Sequence, residues 1–394
     1  MFCFRETMRL VIVIFLILIS NLIHSLDFKI GVLRNISIKK ASIFINKSHY
    51  SLRSSNNSLF KKLGPENRVD VVYNNEKIVL KIDDKYVGKF DTLKLYNVNK
   101  DTGIFELKGI LPNFKSRYYY DNLTIYPQSN SISFVNNIGF EKYIIGVLES
   151  EVGLGKSEDF YKVHAIISRT YALKNQYKFI HEGFYLTDLV NCQVYKGNMY
   201  KDPTIINAVK STRNLILVDE NMDFITASYF SNSGGQTNNV EDVWNKALPY
   251  LRSIHDPYSM GGVNYVWEKS ISKSKWLSYL KNKFQYPINN VEALNAALNF
   301  KQDIRHKFLV DWVYQIPLTE IRKDWKLKST YFSIIDQGET LSFVGKGFGH
   351  GVGLSQEGAM RMIELGYDFL EVLRFYYTDV HLIDMKMRDF YIID

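Results

Sequence analysis

From Phe28 to Ile110 the apolar residues come in short β-branched runs separated by Asn, Gly and Asp. Ile36–Ile38, Val69–Tyr73, Ile78–Ile82 and Phe105–Leu107 are such runs, and the pattern predicts strands joined by tight turns. With a break near Leu111-Pro112-Asn113, residues 26–112 read as a β-rich N-terminal region. Two more strands, Leu123–Tyr126 and Ile132–Val135, flank a turn at Pro127–Asn130. The period then changes. Phe140 to Glu151 places Tyr143, Ile144, Val147, Leu148 and Glu151 on one helical face, and Gly153 and Gly155 end the run. Ser157 is a suitable N-cap for a second helix whose stripe is Phe160, Val163, Ile167 and Tyr171. Strands are expected again over residues 214–231, and residues 264–310 read as helical and polar. The expectation is an α+β chain, in which residues 113–394 form one domain of mixed sheets and a few packed helices.

Composition adds a compartment to this picture. The chain of 394 residues is 46% hydrophobic and 23% charged, which suits a folded protein rather than a disordered one. Arg5 and Arg9 precede an apolar run from Leu10 to Ile19, so residues 1–25 read as an export signal, or as an anchor over residues 10–26 if left uncleaved. Cys3 lies within that segment and Cys192 is the other cysteine, so the exported chain has no internal disulfide. A net charge of +8 favours anionic surfaces. For an exported chain without a basic recognition motif that surface is the cell wall, not nucleic acid. Membrane contact is expected only through the N-terminal segment.

Chemistry concentrates in dispersed motifs. Gly347, Gly349, Gly351 and Gly353 alternate around His350, and Ser355-Gln356 opens a helix that reaches Glu364, with Gly366 beyond it. Four glycines in seven residues place backbone where side chains would collide. No Lys-Ser or Lys-Thr follows them, and Gly353-x-Ser355-x-Glu357 lacks the last glycine of a nucleophile elbow. Glu149 and Glu151 end the first helix, Arg169 lies in the second, and Ser231-Asn232-Ser233-Gly234-Gly235 ends a strand in a polar turn. Taken singly, each has an ordinary structural reading: solvated charges, an ion-pair partner, a turn.

Taken in order, these motifs resemble the stage II sporulation protein D family, whose relatives include amidase-enhancer proteins. The matching residues include Tyr143-x-x-Gly146-Val147-x-x-x-Glu151, Ser168-Arg169-Thr170-Tyr171-Ala172 and Cys192-Gln193-Val194-Tyr195. Ser231-x-Ser233-Gly234-Gly235-x-Thr237, Asp242-x-Trp244, Ile321-Arg322 and the glycine-rich run ending in Gln356 continue the likeness, which spans residues 123–382. The resemblance implies lytic transglycosylation of peptidoglycan by one acid/base, Glu151, five residues after Gly146 and eighteen before Arg169. It implies that the sheets and helices of residues 113–394 surround a glycan-binding cleft, with glycan contacts from Arg169, Tyr195, Ser231, Asn232, Ser233, Gly234, Gly235, His350 and Gln356.

One glutamate is enough for that reaction. The muramyl 6-hydroxyl attacks its own anomeric carbon, and intramolecular attack removes the need for a carboxylate that activates water. The acid must hold its proton near neutral pH, and a helix C-terminus with an apolar face would favour that. The alternative that the resemblance offers is a noncatalytic wall-binding enhancer of an N-acetylmuramoyl-L-alanine amidase. Val152-Gly153 stands where the family usually has Met-Pro, and His164 where Gln is common. Some relatives hold zinc beside the Cys-Gln segment; with Cys192 alone here, no metal and no cofactor are expected.

Overall fold

The computed structural model describes residues 27–55, 59–99, 103–197, 202–244, 246–310 and 313–388. The export signal or anchor expected over residues 1–26 lies outside them. The fold is α+β, with large N-terminal sheets and most helices towards the C-terminus. Among the described residues no helix is long and apolar enough to cross a membrane.

The chain forms two compact units, and the first joins residues 1–156 to 175–213. One of its sheets has six strands in the order Asn113–Tyr120, Ile104–Leu111, Lys40–Lys47, Arg68–Asn74, Lys77–Ile82 and Lys85–Phe90. A seven-stranded sheet centres on Ser131–Gly139, which pairs antiparallel with both Asp27–Val32 and Asn122–Gln128. Ser129 and Asn130 adopt φ of 47° and 61° between Asn122–Gln128 and Ser131–Gly139. Left-handed residues of this kind make the tightest hairpin turns. The expected division at residue 112 falls in the turn of the Ile104–Leu111/Asn113–Tyr120 hairpin, and the unit continues beyond it. Ile36–Ile38 is a turn, not the expected strand: Leu33 sits at φ 60° and its carbonyl accepts from the Ile36 N–H.

Helix α1, Phe140–Glu151, closes the first unit. Tyr143, Ile144, Val147 and Leu148 are buried as their spacing demands, and Glu151 at the end of that face is half-buried. Asp121 fixes the helix start. Its Oδ2 accepts from Gly139 N at 2.9 Å, and its Oδ1 from Lys142 Nζ at 2.6 Å. Asp188 is a buried charge of this unit, receiving Leu33 N and Arg117 Nη1 on one oxygen, both at 2.8 Å.

The second unit joins residues 157–174 to 214–394. Helix α2, Glu158–Lys174, starts where Ser157 Oγ accepts from Phe160 N at 3.4 Å. Residues 264–310 depart from the helical, polar expectation. They open with a strand, Val266–Ser272, that pairs with Thr340–Lys346 beside Phe332–Asp336. Helices Lys273–Phe284 and Val291–Leu298 then pack Trp276, Leu280, Ala297 and Leu298 onto that sheet. The exposed lysines and asparagines of these helices masked a buried stripe only a few residues wide.

Candidate functional site

In the first unit the residues of interest assemble along α1. Gly146 stands where a Cβ would meet the Tyr195 ring at 2.5 Å, so the absence of a side chain lets residues 193–197 lie against the helix. Tyr195 is buried and its hydroxyl donates to Asn136 Oδ1 at 2.8 Å. Tyr143 OH donates to Gln193 Oε1 at 3.2 Å, and Lys196 N donates to Ser150 Oγ at 3.0 Å. Glu151 completes the seam: its Oε1 accepts from Val194 N at 2.6 Å. Glu149 points elsewhere, close enough to Tyr120 to help burial push that phenol up to about 12.

The chain leaves α1 through Gly153, at φ 79°, whose N–H donates to Leu148 O at 3.2 Å. Proline could neither supply that donor nor adopt that φ. The path that the backbone takes directly after the glutamate therefore excludes a proline at position 153.

In the second unit the glycine-rich run and the Ser231–Gly235 turn form one tightly packed body. Asn232 and Phe348 exchange main-chain hydrogen bonds of 3.1 and 2.8 Å. A Cβ on Gly347 would lie 2.6 Å from Asn232 O, and one on Gly353 2.2 Å from Ser228 O. Both glycines have positive φ, 76° and 79°. The close approach that the glycines permit is thus to the chain's own residues 228–238. Ser233 Oγ accepts from Gly235 N, and Ser355 Oγ accepts from Ser233 N and caps the helix Gln356–Glu364 through Gly358 N. Asn232 and Asn264 both donate to Glu357, at 2.7 and 2.6 Å, and Asn264 also reaches Ser231 Oγ.

Most of the polar residues expected to touch glycan are therefore internal. Asn232 and Ser233 are buried in the second unit, as is Arg169, whose Nη1 donates to Leu215 O at 2.9 Å. Tyr195 is buried in the first. Ser231, His350 and Gln356 are partly exposed. His350 Nδ1 accepts from Val352 N at 3.1 Å, and the ring also bonds the Tyr229 main chain. Burial, reinforced by the cations Arg322 and Arg305, pushes it down to about 4, so it is neutral at physiological pH. A neutral ring with committed nitrogens is a structural pin and not a proton shuttle. His164 is buried between Phe160 and Tyr229, and among the described residues neither ring nitrogen has a partner. Desolvation lowers it to about 3.

Around the glycine run lie cations that sequence reasoning left without a role. Arg305 donates to Gln236 O, Ser233 O and Thr330 Oγ1, and burial lowers it to about 9. Arg322 Nε donates to Lys328 O, the carbonyl that also accepts from Gly349 N. Arg322 was present in the Ile321-Arg322 motif, but nothing local in the sequence tied it to His350. Among the described residues, no group of three or more His, Cys, Asp or Glu side chains could hold a metal ion.

The stage II sporulation protein family model matches residues 128–218, the stretch carrying α1, α2 and the segment that docks on α1. The chain is 29% identical to stage II sporulation protein D of Bacillus amyloliquefaciens, over 77% of this chain and 92% of that protein. It is 30% identical to an uncharacterized protein of Brachyspira hyodysenteriae, over 68% of this chain and 72% of that one. It is 27% identical to the amidase enhancer of Bacillus subtilis over 60% of this chain, a match covering 40% of that longer protein. The chain belongs to the stage II sporulation protein D and amidase-enhancer family.

Proposed function

We propose that this chain is an exported cell-wall protein that engages peptidoglycan glycan strands and enhances an N-acetylmuramoyl-L-alanine amidase without cleaving the glycan itself. The observation that carries this reading is the bond from Val194 N to Glu151 Oε1 at 2.6 Å. It makes Glu151 the tie between α1 and residues 193–197. The altered exit through Gly153 supports the same reading, and so does the relative named amidase enhancer. The positive charge of the chain suits an anionic wall.

A second reading, lytic transglycosylation by Glu151, is favoured by one observation. Glu151 is only half-buried, on the last turn of its helix, where a proton donor could reach a glycosidic oxygen. Purified peptidoglycan, with and without its peptide stems, incubated with the protein separates the two. The enhancer reading expects no 1,6-anhydro-muramyl ends by mass spectrometry and a faster release of peptides by a wall amidase. Anhydro ends that disappear in Glu151→Gln would establish the second reading instead.

A further inference from the structure

The glycine run is ringed by positive charge that the protein does not neutralise. Among the described residues no carboxylate lies within ion-pair distance of Arg305 or Arg322. The acids nearest in sequence are committed elsewhere. Glu320 and Asp324, on the helix that carries Arg322, pair with Lys283, and Glu241 pairs with Arg252. Arg305 spends its donors on two carbonyls and a hydroxyl and stacks on Tyr331 at 4.9 Å, which makes it a framework group.

Arg322 is different. It is half-exposed, and its one hydrogen bond among the described residues uses Nε, at 3.2 Å from Lys328 O. That carbonyl also binds Gly349 N at 3.0 Å, so the guanidinium is held at the glycine run with its two terminal nitrogens uncommitted. Lys328 is exposed, with Nζ 5.8 Å from the Phe348 ring. Trp244 lies against His350, with ring centroids 5.0 Å apart and the planes tilted by 53°. Trp244 and Phe348 remain 44% and 42% exposed, and flat apolar rings of this kind suit the apolar face of a sugar.

We propose that Arg322 receives a carboxylate carried by the cell-wall polymer, with Trp244 and Phe348 offering rings to the sugars beside it. The inference rests on the glycan-binding reading above. A guanidinium fork matches a carboxylate bidentately, and Lys328 adds a second positive charge next to it. The carboxylate has two sources, the sugar's own lactyl group or a peptide stem.

The test measures binding of the full exported chain by calorimetry to three soluble ligands: a neutral chitooligosaccharide, peptide-free wall glycan fragments, and peptide-bearing fragments. At least one carboxylated ligand should bind about tenfold tighter than the neutral one, the scale of one charge-assisted contact. Arg322→Gln should erase that advantage and leave chitooligosaccharide binding unchanged, and Arg322→Lys should restore part of it. A loss confined to peptide-free fragments assigns the carboxylate to the sugar; a loss confined to peptide-bearing fragments assigns it to the stem. An identical preference in wild type and Arg322→Gln overturns the inference and leaves glycan binding standing. Failure of the wild type to bind any of the three overturns the proposed function itself.

Discussion

Two arginines, one in each unit, show what the protein does with charge. Arg117 meets Asp188, a fully buried carboxylate that also takes Leu33 N. Arg322 meets only a carbonyl. Desolvation raises the Asp188 carboxyl, while the Leu33 N–H and Arg117 oppose that shift. Such a pair is an internal staple, carried by Asp188 Oδ2 while Oδ1 is buried without a partner among the described residues. A cation left with a carbonyl at a partly open surface has most of its electrostatic potential unspent, so an anion from outside gains what the protein has not used. The contrast separates residues kept for folding from residues kept for binding better than their charge or their place in a motif.

The largest effect expected from this contrast is at the staple. Asp188→Ala leaves Arg117 and Leu33 N without their acceptor and should cost about 3–5 kcal/mol in denaturant unfolding. Arg322→Gln, by comparison, should change stability by less than about 1 kcal/mol. Equal losses in the two variants would erase the distinction. The glycine run should break next. Gly353→Ala puts a Cβ within 2.2 Å of Ser228 O at a backbone φ of 79°, and should cost roughly 2 kcal/mol, measured the same way.

His164 gives a third, pH-dependent test. Its folded pKa, about 3, lies below the ordinary histidine value of 6.5. The unfolded chain therefore takes up a proton that the folded chain refuses. The contribution is complete above pH 6.5 and is lost as pH falls towards 3, with a slope of about 1.4 kcal/mol per pH unit. His164→Leu should flatten that part of the stability profile. It should also raise stability at pH 7 by about 1 kcal/mol, because two unpaired buried nitrogens are removed.

Elements governed by local period were legible in the sequence. Phe140–Glu151 and Gln356–Glu364 begin and end where apolar spacing, caps and glycines place them, and Glu158–Lys174 begins directly after its expected cap, Ser157. Ile36–Ile38 was not legible, because a β-branched triplet reads as a strand even where a left-handed Leu33 has already turned the chain. The strand Val266–Ser272 was hidden by its alternation of Glu268, Lys269 and Ser270 with buried Trp267 and Ile271. For the site, sequence order brought out Glu151 and the glycine run but not their partners. Val194 N is a main-chain group and invisible to any motif. The carbonyl shared by Arg322 and Gly349 joins residues that only the folded second unit brings together.

The central claim is that Glu151 serves as a tie and not as a proton donor, and the products of the reaction test it most directly. Purified peptidoglycan incubated with the protein alone should show intact strand ends by mass spectrometry, while added wall amidase should release its peptide stems faster in the protein's presence. New 1,6-anhydro-muramyl ends formed by the wild type and abolished in a folded Glu151→Gln variant would contradict the account.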